Sequence, residues 1–356
     1  MKNYLPSLNG IRAISILLVI SNHLFSQHYD GNPYLTSNRI LQLLTTIFID
    51  GQLGVNMFFV LSGFLITTLL LEEEQLSGTI SIKDFYVRRM RRIFPAYYFL
   101  LLVYFVLRVV TYLTFPFIWI SYQSWITSLT FTKYFNYGRD SYTGHLWSLA
   151  VEMHFYILWP LIFKWGSAWR KKILIGVVLL LPFLRLYLWY NPNEWMQPLS
   201  IFTRFDALVI GCLFAVYKTQ IWGWMNNYQN TVFFLSLMCL TFMSYFSTLP
   251  YALEAPFCSI DQSVGSTRGT IANVAMGCIL LYSLMHTKGW WYQLLNSKIM
   301  IHLGVLSFSL YLWQQLFLSS NDYWINIFPV NIALIYLTAL FSYHFIEKPL
   351  RPPSLR

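Results

Sequence analysis

Arg12 and His23 sit in one apolar stretch, NGIRAISILLVISNHLFSQ, which runs from Asn9 to Gln27. At about 100° per residue, the 11 positions between them complete three turns plus about 20°. A helix therefore puts both on one face, roughly 16 Å apart along its axis. A central arginine raises the free energy of insertion into lipid by roughly 2.5–3.5 kcal/mol, so such residues face a protein interior or a water-filled cavity. There an imidazole can take up a proton, and a guanidinium can hold an anion.

A second group lies in FYVRRMRRIFPAYY, which carries Arg88, Arg89, Arg91 and Arg92 directly before an apolar run. Arg89 and Arg92 lie one helical turn apart, and guanidinium groups grip phosphate bidentately. Two readings stand side by side: contacts to lipid phosphates that fix orientation, and a seat for a phosphorylated cytosolic ligand. In GHLWSLAVEMHFYILWPLIFKW, His145 and Glu152 return to nearly one face after two turns, with Ser148 between them, while His154 points elsewhere. An intramembrane glutamate calls for a partner, here His23, His145 or an arginine. It serves either chemistry or an ion pair that ties two helices together. Ser62 and Gly63, in GQLGVNMFFVLSGFLITTLLLEEE, suit close helix packing or the admission of an extended ligand. In LGVLSFSLYLWQQLF, Ser307, Tyr311 and Gln314 form a polar stripe at helical spacing. Arg204 and Asp206 read as a buried pair or an outer-rim contact. Glu347 and Lys348 read as an interfacial pair before Pro349, which ends the last helix.

The elements that must position these residues are membrane helices. Of 356 residues, 56% are hydrophobic and only 11% charged, against about 25% charged in soluble chains. The sequence predicts an all-α, polytopic protein with ten spans near 10–27, 53–71, 93–113, 145–163, 173–190, 203–217, 231–248, 270–286, 301–319 and 329–346. Residues 117–132 are aromatic and interrupted by polar groups, so they read as interfacial or re-entrant. With the amino terminus in the cytoplasm, 16 of the 24 Lys and Arg residues fall on the inner side, and both termini are cytoplasmic. Only Arg39, Lys133, Arg139 and Arg268 fall in the opposite loops. The net charge of +10 is thus assigned to the membrane surface, and no nucleic-acid partner is expected. A cleaved signal peptide at the amino terminus is disfavoured, because no A-x-A-like site comes after His23. The whole of 1–356 reads as one membrane domain. Cys212, Cys239, Cys258 and Cys278 show no ligand-like spacing, and no metal site is assigned.

The sequence has no P-loop, G-x-G-x-x-G, H-E-x-x-H, G-x-S-x-G or H-x4-D arrangement. There remains a membrane interior with a histidine, a glutamate and arginines, beside a cytosolic arginine cluster. In LNGIRAISILLVISNH, FFVLSGFLI, FYVRRMRRIFPAYY, HLWSLAVEMHFYILWPL, RFDALVIGCLFA, LGVLSFSLYLWQQ and FIEKPLR, taken in order from Leu8 to Arg351, the chain resembles the acyltransferase family 3 membrane proteins. That family O-acylates bacterial surface glycans, polysaccharide and lipopolysaccharide among them. The resemblance implies a multi-pass protein of the bacterial inner membrane, with acetyl-CoA or another acyl-CoA as donor and a glycan or glycolipid acceptor. It equates Arg12 and His23 with the family's arginine–x10–histidine motif, Arg89 and Arg92 with its R-x-x-R pair, and Glu152 with its W-S-L-x-V-E carboxylate. Met153 and His154 stand where Glu-Gln is common, and Gln314 where many members have histidine.

The mechanism implied uses His23 as general base on the acceptor hydroxyl, with Glu152 orienting it or offsetting its charge. An acyl-histidine is the open alternative. Arg12 would contact the deeper part of the donor. Arg89 and Arg92, helped by Arg88 or Arg91, would hold its phosphates, with Ser62 and Gly63 as further donor contacts. No esterase-like stretch comes after the last span, so transfer is expected to finish in the membrane domain or on a separate partner. Homo-oligomerisation stays open. Trp119, Trp125, Tyr134 and Tyr137 suit either sugar stacking or an interfacial aromatic belt. A transporter using His23, Glu152 and Arg12 as a polar path is the rival from another class, and a structural scaffold is a third.

Overall fold

The computed structural model describes residues 7–29, 50–111, 120–135, 140–191, 202–252, 258–319 and 323–350. Among these residues every regular element is helical. The α-helices are α1 (Leu8–Tyr29), α2 (Gly51–Ser77), α3 (Ile82–Thr111), α4 (Tyr122–Leu129), α5 (Trp147–Trp165), α6 (Arg170–Tyr190), α7 (Phe205–Val216), α8 (Lys218–Met225), α9 (Gln229–Ala252), α10 (Cys258–Met285), α11 (Gly289–Leu295), α12 (Lys298–Phe317) and α13 (Val330–Ser342). A π-turn, Tyr343–Glu347, and a last helical turn, Lys348–Leu350, continue the chain beyond α13.

Six described helices are long and apolar enough to cross a membrane: Leu8–Phe25, Gly51–Ser77, Ile82–Val110, Gly144–Trp165, Lys298–Phe317 and Val330–Leu350. Two sharply bent pairs, Phe202–Val216 with Lys218–Tyr245 and Gly269–Met285 with Gly289–Leu295, raise the count to 8. The expected stretch 173–190 lies within α6, and 203–217 forms the first leg of a bent pair rather than a separate crossing helix. Within 117–132 the described residues 120–132 include α4, a helix of 8 residues, while Trp119 lies outside the described residues.

The chain divides into two compact units, one of residues 1–80 and 162–305, the other of 81–161 and 306–356. In the first, α2 is the central packing partner. Asp50 caps its start by accepting from Leu53 N–H at 3.3 Å. Its small residues allow backbones to touch: a Cβ added at Gly63 would lie 1.9 Å from the Leu208 carbonyl oxygen of α7, and one at Gly211 would lie 2.0 Å from that of Val60. Nearly all of α7 is buried. The same unit holds an ion pair that differs from the sequence expectation. Asp206 pairs with Arg185 of α6 at 2.5 Å, not with its neighbour Arg204, and it also accepts from Thr270 of α10 at 3.0 Å. Arg185 in turn donates to the Thr203 carbonyl, so three helices meet on one carboxylate.

In the second unit α3 starts at Ser81, whose hydroxyl accepts from Asp84 N–H at 3.3 Å, with Asp84 in the first turn where the helix dipole favours an acid. The short α4 is bolted to α3 at its C-terminal end. Tyr97 and Tyr98 donate to the carbonyls of Ser128 (2.6 Å) and Leu129 (3.2 Å), groups a helix terminus leaves unpaired. Phe131, at φ 56°, turns the chain back and stacks on Tyr97 with ring centroids 4.4 Å apart.

Candidate active site

Arg12 and His23 both lie on α1, an uninterrupted helix of 22 residues, so the separation the spacing predicts is that of a regular helix. Both side chains are half-buried, beside a fully packed face of Ile11, Ala13, Ser15, Ile16 and Val19. The start of the helix is fixed through Ser7. Its N–H donates to the Asn296 side-chain oxygen (3.1 Å), and its hydroxyl accepts from the Asn296 amide (2.9 Å). His23 and Arg12 belong to the first unit, as do Ser62 and Gly63. The contact with α7 accounts for the small residue at 63.

The arginine cluster belongs to the second unit, at the start of α3. Arg89 lies between two aromatic faces, with its guanidinium carbon 5.6 Å from the ring centres of Phe85 and Tyr156. A cation held this way is oriented before any ligand arrives. Tyr86 of the same turn donates to the Ile157 carbonyl at 2.8 Å, tying α3 to α5. Arg88, Arg89 and Arg92 are half-buried and Arg91 is exposed. Arg89 lies within electrostatic reach of Tyr156, Arg92, Glu152 and Arg88. Of the partners expected for Glu152, an arginine is thus provided inside this unit.

His145 falls not in α5 but in a 3-10 turn, Gly144–Leu146, directly before it. Its Nε2 lies 3.2 Å from the Leu312 carbonyl, and its own carbonyl accepts from the Tyr311 hydroxyl at 2.7 Å. Ser148 meets Tyr311 at 2.5 Å, and Tyr311 lies within electrostatic reach of Glu152. The stripe of Ser307, Tyr311 and Gln314 is buried, and Tyr311 joins the His145–Ser148 face. His154 behaves differently. Its Nδ1 bonds the Ala150 carbonyl at 2.8 Å, which can only accept, so in the neutral ring Nε2 is left to accept the Tyr134 hydroxyl at 3.2 Å.

A buried ion pair between Lys133 and Asp140 (2.8 Å) holds the entry to α5. Asp140 also accepts from the Thr143 N–H and hydroxyl, both at 2.6 Å. Burial pushes its carboxyl up, but hydrogen bonds from Lys133, Ser124 and Thr143, with the charge of Lys133, hold it below the ordinary aspartate value. From sequence Lys133 is only an outer-loop charge, because the intervening sequence YFNYGR carries no apolar periodicity from which to infer the pair. Glu347 is a second correction. It is buried rather than interfacial, and it accepts from Ser309 of α12, while the helix continues through Pro349 to Leu350. Tyr137 lies outside the described residues. Among the described residues no group of three or more His, Cys, Asp or Glu side chains is placed to hold a metal.

The acyltransferase domain family matches residues 5–345. The chain belongs to this family. The peptidoglycan O-acetyltransferase OatA of Listeria monocytogenes serovar 1/2a is 27% identical to it, over 98% of this chain and 56% of the relative. The O-acetyltransferase OatA of Staphylococcus aureus strain NCTC 8325 is also 27% identical, over 99% of this chain and 58% of the relative. The chain thus spans a little over half the length of the curated relatives it matches. No solved structure matches. Family membership agrees with the resemblance read from the seven sequence stretches, and the relatives' names give the transporter alternative no support.

Proposed function

We propose that the chain is a membrane O-acyltransferase that moves an acetyl group from acetyl-CoA, or a related acyl donor, to a hydroxyl of an envelope glycan. The observation that carries this reading is the family match over residues 5–345, within which Arg12 and His23 share one unbroken helix. Cytoplasmic termini and residence in a bacterial inner membrane complete it; the inner-side excess of Lys and Arg supports that orientation. In this reading residues 1–356 act as one transferase domain.

Arg89, oriented by Phe85 and Tyr156, binds the donor's phosphates together with Arg92 and Arg88, and the exposed Arg91 contributes long-range attraction. Glu152 limits the mutual repulsion of these cations. Arg12 contacts the deeper part of the donor, with Ser62 lining its path; Gly63 serves the packing of α2 on α7. His23 takes the proton of the acceptor hydroxyl as that oxygen attacks the thioester carbonyl. The carbon–sulfur bond breaks, and the coenzyme A thiolate receives a proton.

The test is coenzyme A release by the purified chain in nanodiscs supplied with acetyl-CoA and envelope glycan. The parent is compared with correctly folded His23→Ala and Arg89→Ala. Release that depends on His23 is expected. Equal release by His23→Ala removes the base assignment, and no thioester consumption across a range of acyl donors and glycans removes acyl transfer itself.

A further inference from the structure

The end of the last described helix departs from regular geometry. After α13 the chain widens into the π-turn Tyr343–Glu347, where Lys348 N–H donates to the Tyr343 carbonyl. The cause is local. In a continuous α-helix the ring of Pro349 would meet the carbonyl four residues earlier, and its missing N–H would leave that carbonyl unpaired. Widening by one residue relieves the clash and rotates the final turn by about 100° relative to an unbroken helix. The rotation has one chemical result. Between residues 343 and 350 only Glu347 is buried, at 1% exposure, while His344, Phe345 and Lys348 face outward. Glu347 accepts the hydroxyl of Ser309 on α12. Helix α3, which carries Arg88, Arg89 and Arg92, packs against both the π-turn and the turn after it.

We propose that Glu347 is a positioning residue for the donor-binding arginine segment of α3, aimed into place by the π-turn that Pro349 imposes. A carboxylate deep in a membrane protein is costly unless it is held by hydrogen bonds or charge, so its retention at this contact needs a use. Here it ties the π-turn to α12, and α3, the helix that carries the arginines, packs on that turn. The inference rests on the reading of Arg89 as a phosphate ligand of the donor.

The experiment uses the full chain in nanodiscs. It measures acetyl-CoA affinity at equilibrium, together with KM, kcat and the unfolding midpoint, for the parent, Arg89→Ala, Glu347→Ala, Glu347→Gln, Pro349→Ala and Ser309→Ala. Glu347→Ala is expected to weaken acetyl-CoA binding about tenfold, the scale of one lost hydrogen bond to a charged group, with kcat nearly unchanged. Glu347→Gln, whose amide oxygen still accepts the Ser309 hydroxyl, restores binding. Pro349→Ala keeps the carboxylate but releases the π-turn, and it loses binding as Glu347→Ala does. Ser309→Ala weakens binding by a smaller factor and serves if Glu347→Ala does not fold. Arg89→Ala weakening acetyl-CoA while the Glu347, Pro349 and Ser309 variants match the parent overturns this inference alone. Arg89→Ala matching the parent overturns the donor reading on which it rests.

Discussion

Replacing Asp140 by Asn leaves the Lys133 ammonium, whose side chain is 2% exposed, without its counter-charge. Breaking a buried ion pair from one side destabilises by about 3–5 kcal/mol, because the remaining charge stays desolvated. Lys133→Met is expected to be milder. Asp140 would keep the Thr143 N–H, the Thr143 hydroxyl and the Ser124 hydroxyl, and three donors support a carboxylate well. In the double variant Lys133→Met/Asp140→Asn the charge is gone, while the amide oxygen still accepts from Thr143, so stability should return to within about 2 kcal/mol of the parent. Thermal unfolding of the four proteins in one detergent reads this cycle. Asp140→Asn should lower the midpoint by about 4–7 °C, and the double variant should recover most of that loss. Additive single effects, with no recovery in the double, would refute the assignment of a buried, coupled pair. The pH dependence supplies an independent check. Because the Asp140 carboxyl is held below its unfolded value of about 4, its stabilisation is fully present above that pH and is lost as pH falls through the folded value. The parent should therefore lose stability relative to Asp140→Asn only below about pH 4.

Gly63→Ala and Gly211→Ala each push a methyl group into a facing carbonyl, so both should prevent close packing of α2 and α7 and cut the yield of folded protein on size-exclusion chromatography. Arg185→Met, which strands Asp206, should destabilise by about 3–5 kcal/mol and more than Arg204→Met, as read by thermal unfolding. Arg89→Lys should not substitute for arginine: a point charge cannot stack flat between Phe85 and Tyr156, so acetyl-CoA affinity should fall nearly as far as in Arg89→Ala. Tyr97→Phe removes the hydroxyl that pairs the Ser128 carbonyl and should destabilise by about 1–3 kcal/mol, measured by the unfolding midpoint.

The helices are legible in the sequence because apolar runs in a charge-poor chain have few alternatives. The expected span 10–27 is α1, 53–71 lies inside α2, and 145–163 lies inside the Gly144–Trp165 span. The polar stripe on α12 is legible for the same periodic reason, as Ser307, Tyr311 and Gln314 share a buried face. Partnerships are not. Arg204 stands two places from Asp206, yet Arg185 takes the carboxylate, because burial in a three-helix contact outweighs proximity in sequence. Glu152 announces its need for a partner, but nothing local in the sequence chooses among the candidate histidines and arginines. The aromatic cradle of Arg89 is half legible, since Phe85 lies one turn before it, while Tyr156 comes from another helix. Glu347 escapes a sequence reading because its charged neighbour Lys348 suggests a solvated end. The signal that could correct this is Pro349, whose ring disturbs the turn before it.

Helix α7 also bears on how the protein is assembled. Its 12 residues extend about 18 Å, too short to cross a hydrocarbon layer of about 30 Å, and nearly all of them are covered by protein. Such a segment is apolar but too short to span by itself, and the Asp206 charge opposes its insertion. Its membrane insertion must therefore be completed by protein partners, with α2 offering the backbone groove at Gly63 and α6 the counter-charge at Arg185, both of them earlier in the chain. Biogenesis of this region is a docking step on an existing helical surface, and the order of the chain delivers that surface before the segment that needs it.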